Sequence, residues 1–247
     1  PFMTNSTEEY NGSSWTAGGN LGTTRTALQG CGLQTAGLGF GGYVQGGGNQ
    51  IVTEEYDGSS WTSGGNLTSA REKLSGAGTQ TAGLAVGGEP SPVSNATEEY
   101  DGSSWTNGGN LNTGRRASAG AGTQTAGLIF GGTPTPSRDL TEEYDGSSWT
   151  NGGTLNTGTT ELGGSGIQTA ALAFGGDPPG GVTGATEEYD GSSWTTSSAI
   201  LSTARKRLAG TGTTSASLAF GGDTPPTTTA TEEFTSAGPT TVTISSS

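Results

Sequence analysis

Short bursts of alternating polar and apolar residues run the length of this chain, each ending at glycine or at a small polar turn. Residues 53–96 show the pattern. Thr53-Glu54-Glu55-Tyr56 alternates and stops at Asp57-Gly58, a strong turn signal, and Ser59-Ser60-Trp61-Thr62 reads as its hairpin partner. Ser63-Gly64-Gly65-Asn66 breaks that strand, and Leu67 anchors the connection. A third extended stretch runs from Arg71 to Gly78 with Leu74 turned inward. The fourth runs from Gln80 to Val86, with Ala82, Leu84 and Val86 on one face and Thr81, Gly83 and Ala85 on the other, and Gly87-Gly88 ends it. Four short strands joined by Gly-rich turns predict one small antiparallel sheet.

The pattern recurs. Thr-Glu-Glu-Tyr/Phe starts at Thr7, Thr53, Thr97, Thr141, Thr186 and Thr231, in steps of 46, 44, 44, 45 and 45 residues. A unit of this length, repeated several times, predicts a solenoid, a propeller or an array. A four-stranded sheet cannot bury both faces alone, and radial stacking of several such sheets solves that problem while leaving only short edges. The alanines and glycines of the fourth strand suit the crowding near a propeller axis.

Composition alters this picture little. Apolar residues are only 28% and glycines number 48, values typical of disorder, but here the apolar residues stand at fixed places in each unit. The net charge is −13, yet 12 of the 22 acidic residues are the Glu-Glu pairs and 4 more are Asp57, Asp101, Asp145 and Asp190 at one equivalent position. The acidity therefore belongs to the repeat, and it argues against a nucleic-acid partner. Cys31 is the only cysteine, which excludes an intrachain disulfide and reads as a small packed residue. No apolar run reaches the length of a membrane span, so membrane insertion is not expected. The opening Pro-Phe-Met points to a processed product or a fragment.

The order Arg, apolar strand ending Gly-Gly, Tyr, Trp resembles the kelch repeat in the wide sense that includes galactose-oxidase-like propellers. It reads Arg25, Gly41-Gly42, Tyr56, Trp61; then Arg71, Gly87-Gly88, Tyr100, Trp105; then Arg115, Gly131-Gly132, Tyr144, Trp149. The fourth unit has Thr159 in place of Arg before Gly175-Gly176, Tyr189 and Trp194, and the fifth has Arg205, Gly221-Gly222 and Phe234 with no Trp after it. The near-identity of the units, with Gly-Thr-Gln-Thr-Ala-Gly-Leu beyond the Trp, is similar to Gly/Thr/Ser-rich repeat proteins of marine bacteriophages, among which tail-fibre-like adhesins are common. The resemblance implies an all-β fold: a β-propeller of four-stranded antiparallel blades. Five blades are expected, with six as the alternative. Trp15 belongs to a unit without its own inner strands, and the last blade lacks its Trp strand. Ser13-Ser14-Trp15-Thr16 is therefore expected to close the ring, with N- and C-terminal strands sharing one blade. The propeller would span 1–239, and 240–247 would form an extra strand or a tail.

The units vary in one place above all. From Thr-Glu-Glu to the next Gly-Gly the length is 36, 36, 36, 36 and 37 residues, whereas the linkers 43–52, 89–96, 133–140, 177–185 and 223–230 differ in length and sequence. Equivalent propeller loops emerge on one face, so these linkers predict a recognition rim on a constant frame. Candidate ligand-binding residues are Tyr43, Gln45, Asn49, Gln50, Ser94, Asn95, Arg138 and Asp139. Prolines 90, 92, 134, 136, 178, 179, 225 and 226 stiffen the remaining loops and reduce the entropy lost on binding. Trp15, Trp61, Trp105, Trp149 and Trp194, with Arg25, Arg71, Arg115 and Arg205, read as structural because each recurs at one position.

Catalytic chemistry finds little footing. Adjacent strand residues face opposite ways, so the two glutamates of a pair cannot act together, and one of them is expected to meet the repeat arginine. Without histidine the usual triads and imidazole metal sites are excluded, including a galactose-oxidase-like copper site. No cofactor, metal or catalytic residue is expected. The sequence thus points to a non-enzymatic module in a virion or outside the cell, an adhesin binding a glycan or a structural protein through its rim. The alternative is a spacer or assembly module of a fibre, as a homo-oligomer or within a particle.

Overall fold

A computed structural model of the chain describes residues 3–90, 92–134, 137–224, 227–236 and 242–246. Pro136, Pro225 and Pro226 of the stiffened loops, residues 237–239 of the expected propeller span, and residues 240, 241 and 247 of the expected terminal segment lie outside the described residues. The strands are β1 Glu8–Tyr10, β2 Trp15–Ala17, β3 Gln29–Leu33, β4 Ala36–Phe40, β5 Tyr43–Val44, β6 Gly48–Asn49, β7 Thr53–Tyr56 and β8 Trp61–Ser63. They continue as β9 Ser75–Thr79, β10 Ala82–Val86, β11 Thr97–Tyr100, β12 Trp105–Asn107, β13 Ala119–Thr123, β14 Ala126–Phe130, β15 Thr141–Tyr144 and β16 Trp149–Asn151. The last are β17 Gly163–Ile167, β18 Ala170–Phe174, β19 Thr186–Tyr189, β20 Trp194–Thr196, β21 Ala209–Thr213, β22 Ala216–Phe220, β23 Thr231–Ser236 and β24 Val242–Ser246. Among the described residues there is no α-helix, only a 3-10 turn at Ser137–Asp139.

Five sheets have four antiparallel strands each: β3-β4-β7-β8, β9-β10-β11-β12, β13-β14-β15-β16, β17-β18-β19-β20 and β21-β22-β23-β24. The fold is all-β, a five-bladed β-propeller. β1 and β2 form a separate two-stranded sheet, and β5–β6 is a small hairpin inside the first linker. One expectation is corrected. The fourth strand of the fifth sheet is Val242–Ser246, not Ser13–Thr16, and it pairs with β23 over five residues from Glu232↔Ser246 to Ser236↔Val242. A local hairpin closes a far shorter loop than a strand from the other end of the chain, and it forms more backbone bonds than the three-residue outer hairpins elsewhere. The fifth sheet therefore extends past residue 239.

The chain divides into two compact units. The first holds β1 to β12. Its core gathers Leu38, Phe40, Leu67, Leu74, Ala85, Tyr100 and Trp105. Trp105 lies between two rings, with centroids 4.9 Å from Tyr100 and 5.0 Å from Phe40. Its indole Nε1 donates to Thr53 Oγ1 of the preceding repeat at 2.9 Å. Trp61 likewise donates to Thr7 at 2.8 Å. Crowding explains the small residues: a Cβ on Gly76 would stand 2.7 Å from the Phe40 ring. The Gly-Gly pair has a related reason. Gly88 N–H donates to the Arg115 carbonyl at 2.8 Å, and a Cβ on Gly87 would sit 2.3 Å from that same oxygen. The second unit repeats this construction around Leu128, Phe130, Leu155, Ala171 and Trp194, and around Leu172, Phe174, Leu201 and Phe234.

Glutamine side chains join successive repeats within each unit. Gln80 Nε2 donates to the Gly37 and Tyr56 carbonyls, Gln124 to those of Gly83 and Tyr100, and Gln168 to those of Gly127 and Tyr144, all at 2.7 to 3.1 Å.

Candidate functional site

The frame around the variable segments is built from buried charge. The first glutamate of the pair meets the arginine: Arg25–Glu54 and Arg71–Glu98 at 2.7 Å, Arg205–Glu232 at 2.9 Å. Arg71 also donates to the carbonyls of Gly87 at 2.8 Å and Ala96 at 3.0 Å, so its fork ties the end of one strand to the start of the next. Burial pushes the Arg71 guanidinium below its ordinary value, and Glu98 offsets part of that shift. Arg115 is fully buried at the same position. The fourth repeat replaces the arginine by another device: Glu187 accepts from Asn156 N at 2.8 Å, Asn156 Nδ2 at 3.1 Å and Thr157 N at 2.9 Å. The second glutamate serves the neighbouring repeat, as where Tyr100 OH donates to Glu55 at 2.5 Å.

Most of the expected ligand-binding residues are engaged in bonds within their loop or to a neighbouring segment. Gln50 Nε2 donates to Gly48 O at 2.7 Å, and the Gln50 carbonyl accepts from Arg71 N at 3.1 Å. Asn49 Nδ2 reaches Glu89 O at 3.3 Å. Ser94 Oγ accepts from Ala96 N at 3.0 Å, and Asn95 Nδ2 donates to Leu111 O at 3.3 Å. Arg138 Nη1 donates to Asp177 O at 3.1 Å, while the Asp139 carbonyl accepts from Leu155 N at 2.8 Å. Tyr43 is half-buried and exchanges backbone bonds with Thr26, and Gln45 is exposed at the tip of β5–β6. Of the tryptophans, Trp105, Trp149 and Trp194 are buried, while Trp15 and Trp61 are half-buried. Trp15 stacks on Tyr10 with centroids 5.1 Å apart.

Comparison with protein-family models and with curated proteins finds no match for this chain.

A second variable position lies beside the loops. The two residues after each arginine position are Thr26-Ala27, Glu72-Lys73, Arg116-Ala117, Thr160-Glu161 and Lys206-Arg207. In three repeats the first of them bridges the residue after Gly-Gly: Thr26 with Tyr43, Glu72 with Glu89, Lys206 with Asp223. The second has left-handed backbone in all five repeats, with φ of 52° at Ala27 and Lys73, 53° at Ala117, and 57° at Glu161 and Arg207. Within a unit these residues contact one another, since Lys73 N donates to Ala27 O at 3.0 Å and Arg207 N to Glu161 O at 2.7 Å. Their side chains interlock with the loops. In the first unit Lys73 and Arg116 both pair with Glu89, Lys73 at 3.5 Å. In the second unit Lys206 meets Asp177 at 2.7 Å and Glu161 at 3.6 Å, and Arg207 meets Glu161 at 3.0 Å and Asp223 at 3.5 Å. The hydrogen bond to Asp177 raises the Lys206 pKa above its usual value. Sequence reading directed at loop length missed this pair, although its signal is plain: two freely changing residues between a near-constant Arg and a leucine present in four of the five units.

Proposed function

We propose that the chain is a non-enzymatic binding module, an adhesin of a virion or cell surface that recognises a glycan or a protein through the linker loops and the variable pairs beside them. The observation that carries this reading is the run of five left-handed residues with side chains. A non-glycine residue in this conformation costs about 1 kcal/mol, and glycine removes the cost. This chain contains 48 glycines and places none at these five positions. Strain held at equivalent positions while identity varies among Ala, Lys, Glu and Arg is what a surface selected for its side chains requires. The groups offered are cations and carboxylates in mutual contact, with the half-buried Tyr43 ring and the exposed Gln45 amide in the first unit. Such a surface suits a polar, hydroxyl-rich or charged ligand.

A glycan array followed by titration against the best ligand tests this. Binding that falls about tenfold in K73G or in the double variant E161G/R207G, with the fold intact by circular dichroism, is the expected result. Failure to bind host-surface glycans or surface proteins, or binding indifferent to both variants, would sink the proposal.

A further inference from the structure

The tight turn after the Thr-Glu-Glu-Tyr strand carries a carboxylate in four repeats and an amide in one. Asp57, Asp101, Asp145 and Asp190 each accept from the backbone N–H groups of the two following serines at 2.8 Å. Asn11 makes the same turn, its Oδ1 accepting from Ser13 N, Ser13 Oγ and Ser14 N at 2.9 Å. All five residues are exposed, and each is followed by a glycine: Gly12, Gly58, Gly102, Gly146 or Gly191. In none of these turns does the glycine N–H donate to an acceptor among the described residues.

An asparagine before a glycine has an intramolecular reaction open to it. The glycine nitrogen attacks the side-chain carbonyl carbon, closes a five-membered imide and expels ammonia, and water then opens the ring to leave a carboxylate. The turn at Asn11 supplies what each step needs. Gly12 has no side chain to obstruct the approach, and its nitrogen gives up no hydrogen bond on becoming the nucleophile. The three donors on Oδ1 polarise the carbonyl and stand ready to stabilise the oxyanion of the tetrahedral intermediate. The four aspartates share the geometry but not the reactivity. Hydrogen bonds from their serines hold them at about 2, and an ionised carboxylate is a poor electrophile.

The chain has two further Asn-Gly pairs, Asn107-Gly108 and Asn151-Gly152. Asn107 and Asn151 are also exposed, so access does not set them apart. Their backbone does. They end β12 and β16, paired with Glu98 and Glu142, and the next N–H is committed: Gly108 N donates to Thr97 O and Gly152 N to Thr141 O, both at 3.0 Å. Attack by either nitrogen first requires the strand pairing to open.

We propose that Asn11 is a site of spontaneous covalent modification, deamidated through attack by the Gly12 nitrogen, while Asn107 and Asn151 are spared. The Gly12 nitrogen loses its proton to solvent, Nδ2 leaves as ammonia, and one water is consumed when the imide opens to aspartate or its β-linked isomer. No oxidant, metal or cofactor is required. The normally linked product is the carboxylate that four other repeats encode at this position, so it inherits a turn already built to receive it. The net charge of −13 becomes more negative by one for each chain converted.

The test incubates the full chain at mildly alkaline pH, folded and in concentrated guanidinium, and follows the three Asn-Gly peptides by mass spectrometry. In the folded chain Asn11 should convert, and Asn107 and Asn151 should react at least about tenfold more slowly, because closure there waits on local opening. In guanidinium that protection is gone, and the three should react within about threefold of one another. The variant Asn11→Asp carries the expected charge, and the modified fraction of the wild type should match its retention on anion exchange. An Asn11 that stays intact in the folded chain while it converts in guanidinium overturns the proposal. So does conversion of Asn107 and Asn151 in the folded chain as fast as that of Asn11.

Discussion

Transplanting the fourth repeat's solution into the second tests how the buried carboxylate is held. Replacing Arg71 by Thr copies Thr159 and removes three hydrogen bonds, to Glu98, Gly87 O and Ala96 O. Glu98 would then keep only Thr68 N, at 2.6 Å. Removing one partner of a buried ion pair costs about 3–5 kcal/mol. For a chain of this size that corresponds to a fall in Tm of about 6–20 °C. Thr68 occupies the place of Asn156, whose Nδ2 bonds both Glu187 at 3.1 Å and Trp194 O at 2.9 Å. The double variant T68N/R71T should therefore regain about 1–3 kcal/mol, because the new amide donates to an otherwise underbonded charge. Equilibrium denaturation of the wild type, both single variants and the double variant closes a cycle. The coupling should be favourable only when the arginine is absent. If T68N stabilises the wild-type background as much as the R71T background, the carboxylate is not what the amide satisfies and the reasoning fails.

Ala27→Gly and Ala117→Gly should each stabilise the chain by about 0.5–1 kcal/mol in guanidinium titrations, since they relieve left-handed strain without removing a polar contact; destabilisation by either would contradict the strain reading. Asp57, Asp101, Asp145 and Asp190 are held down to about 2 by hydrogen bonds from the two serines that follow each. Their folded pKa values lie below the unfolded value of about 3.9, so their contribution is present above pH 4 and disappears as pH falls toward 2. The variant with all four changed to Asn should lose stability less steeply across that window; Asn11, whose Oδ1 accepts from Ser13 N and Ser14 N at 2.9 Å, shows that the amide fits the same turn. Burial raises the Cys31 thiol to about 12, so alkylation by iodoacetamide at pH 8 should be far slower than for an exposed cysteine, and rapid labelling of the native chain would refute that packing.

What could be read in the sequence followed from repetition. Recurring Tyr, Trp and Gly-Gly placed the strands, and recurring Arg and Glu anticipated the buried pair, because each identity serves the same contact every time. Three features escaped that logic. The segment after residue 239 reads only as an extra strand or a tail, because Val242–Ser246 carries no Ser-Ser-Trp signature to mark it as the outer strand of the fifth sheet. The amides at Asn49, Gln50 and Asn95 suggested ligand contacts, yet each donates to a main-chain carbonyl, Gln50 within its own loop and Asn49 and Asn95 on a neighbouring segment that the sequence alone does not bring alongside. The left-handed positions were hidden because Ala, Lys, Glu and Arg advertise no such backbone; only the surrounding contacts impose it.

The glutamine clamps have a consequence for how such a chain arises. Each of Gln80, Gln124 and Gln168 carries the instructions for seating its repeat on the one before, and it grips only main-chain carbonyls. Because the grip ignores side-chain identity, a duplicated or recombined segment of the gene would encode a repeat that arrives with its own attachment. Copy number and surface sequence can then change by shuffling whole segments, with no joint to be evolved anew.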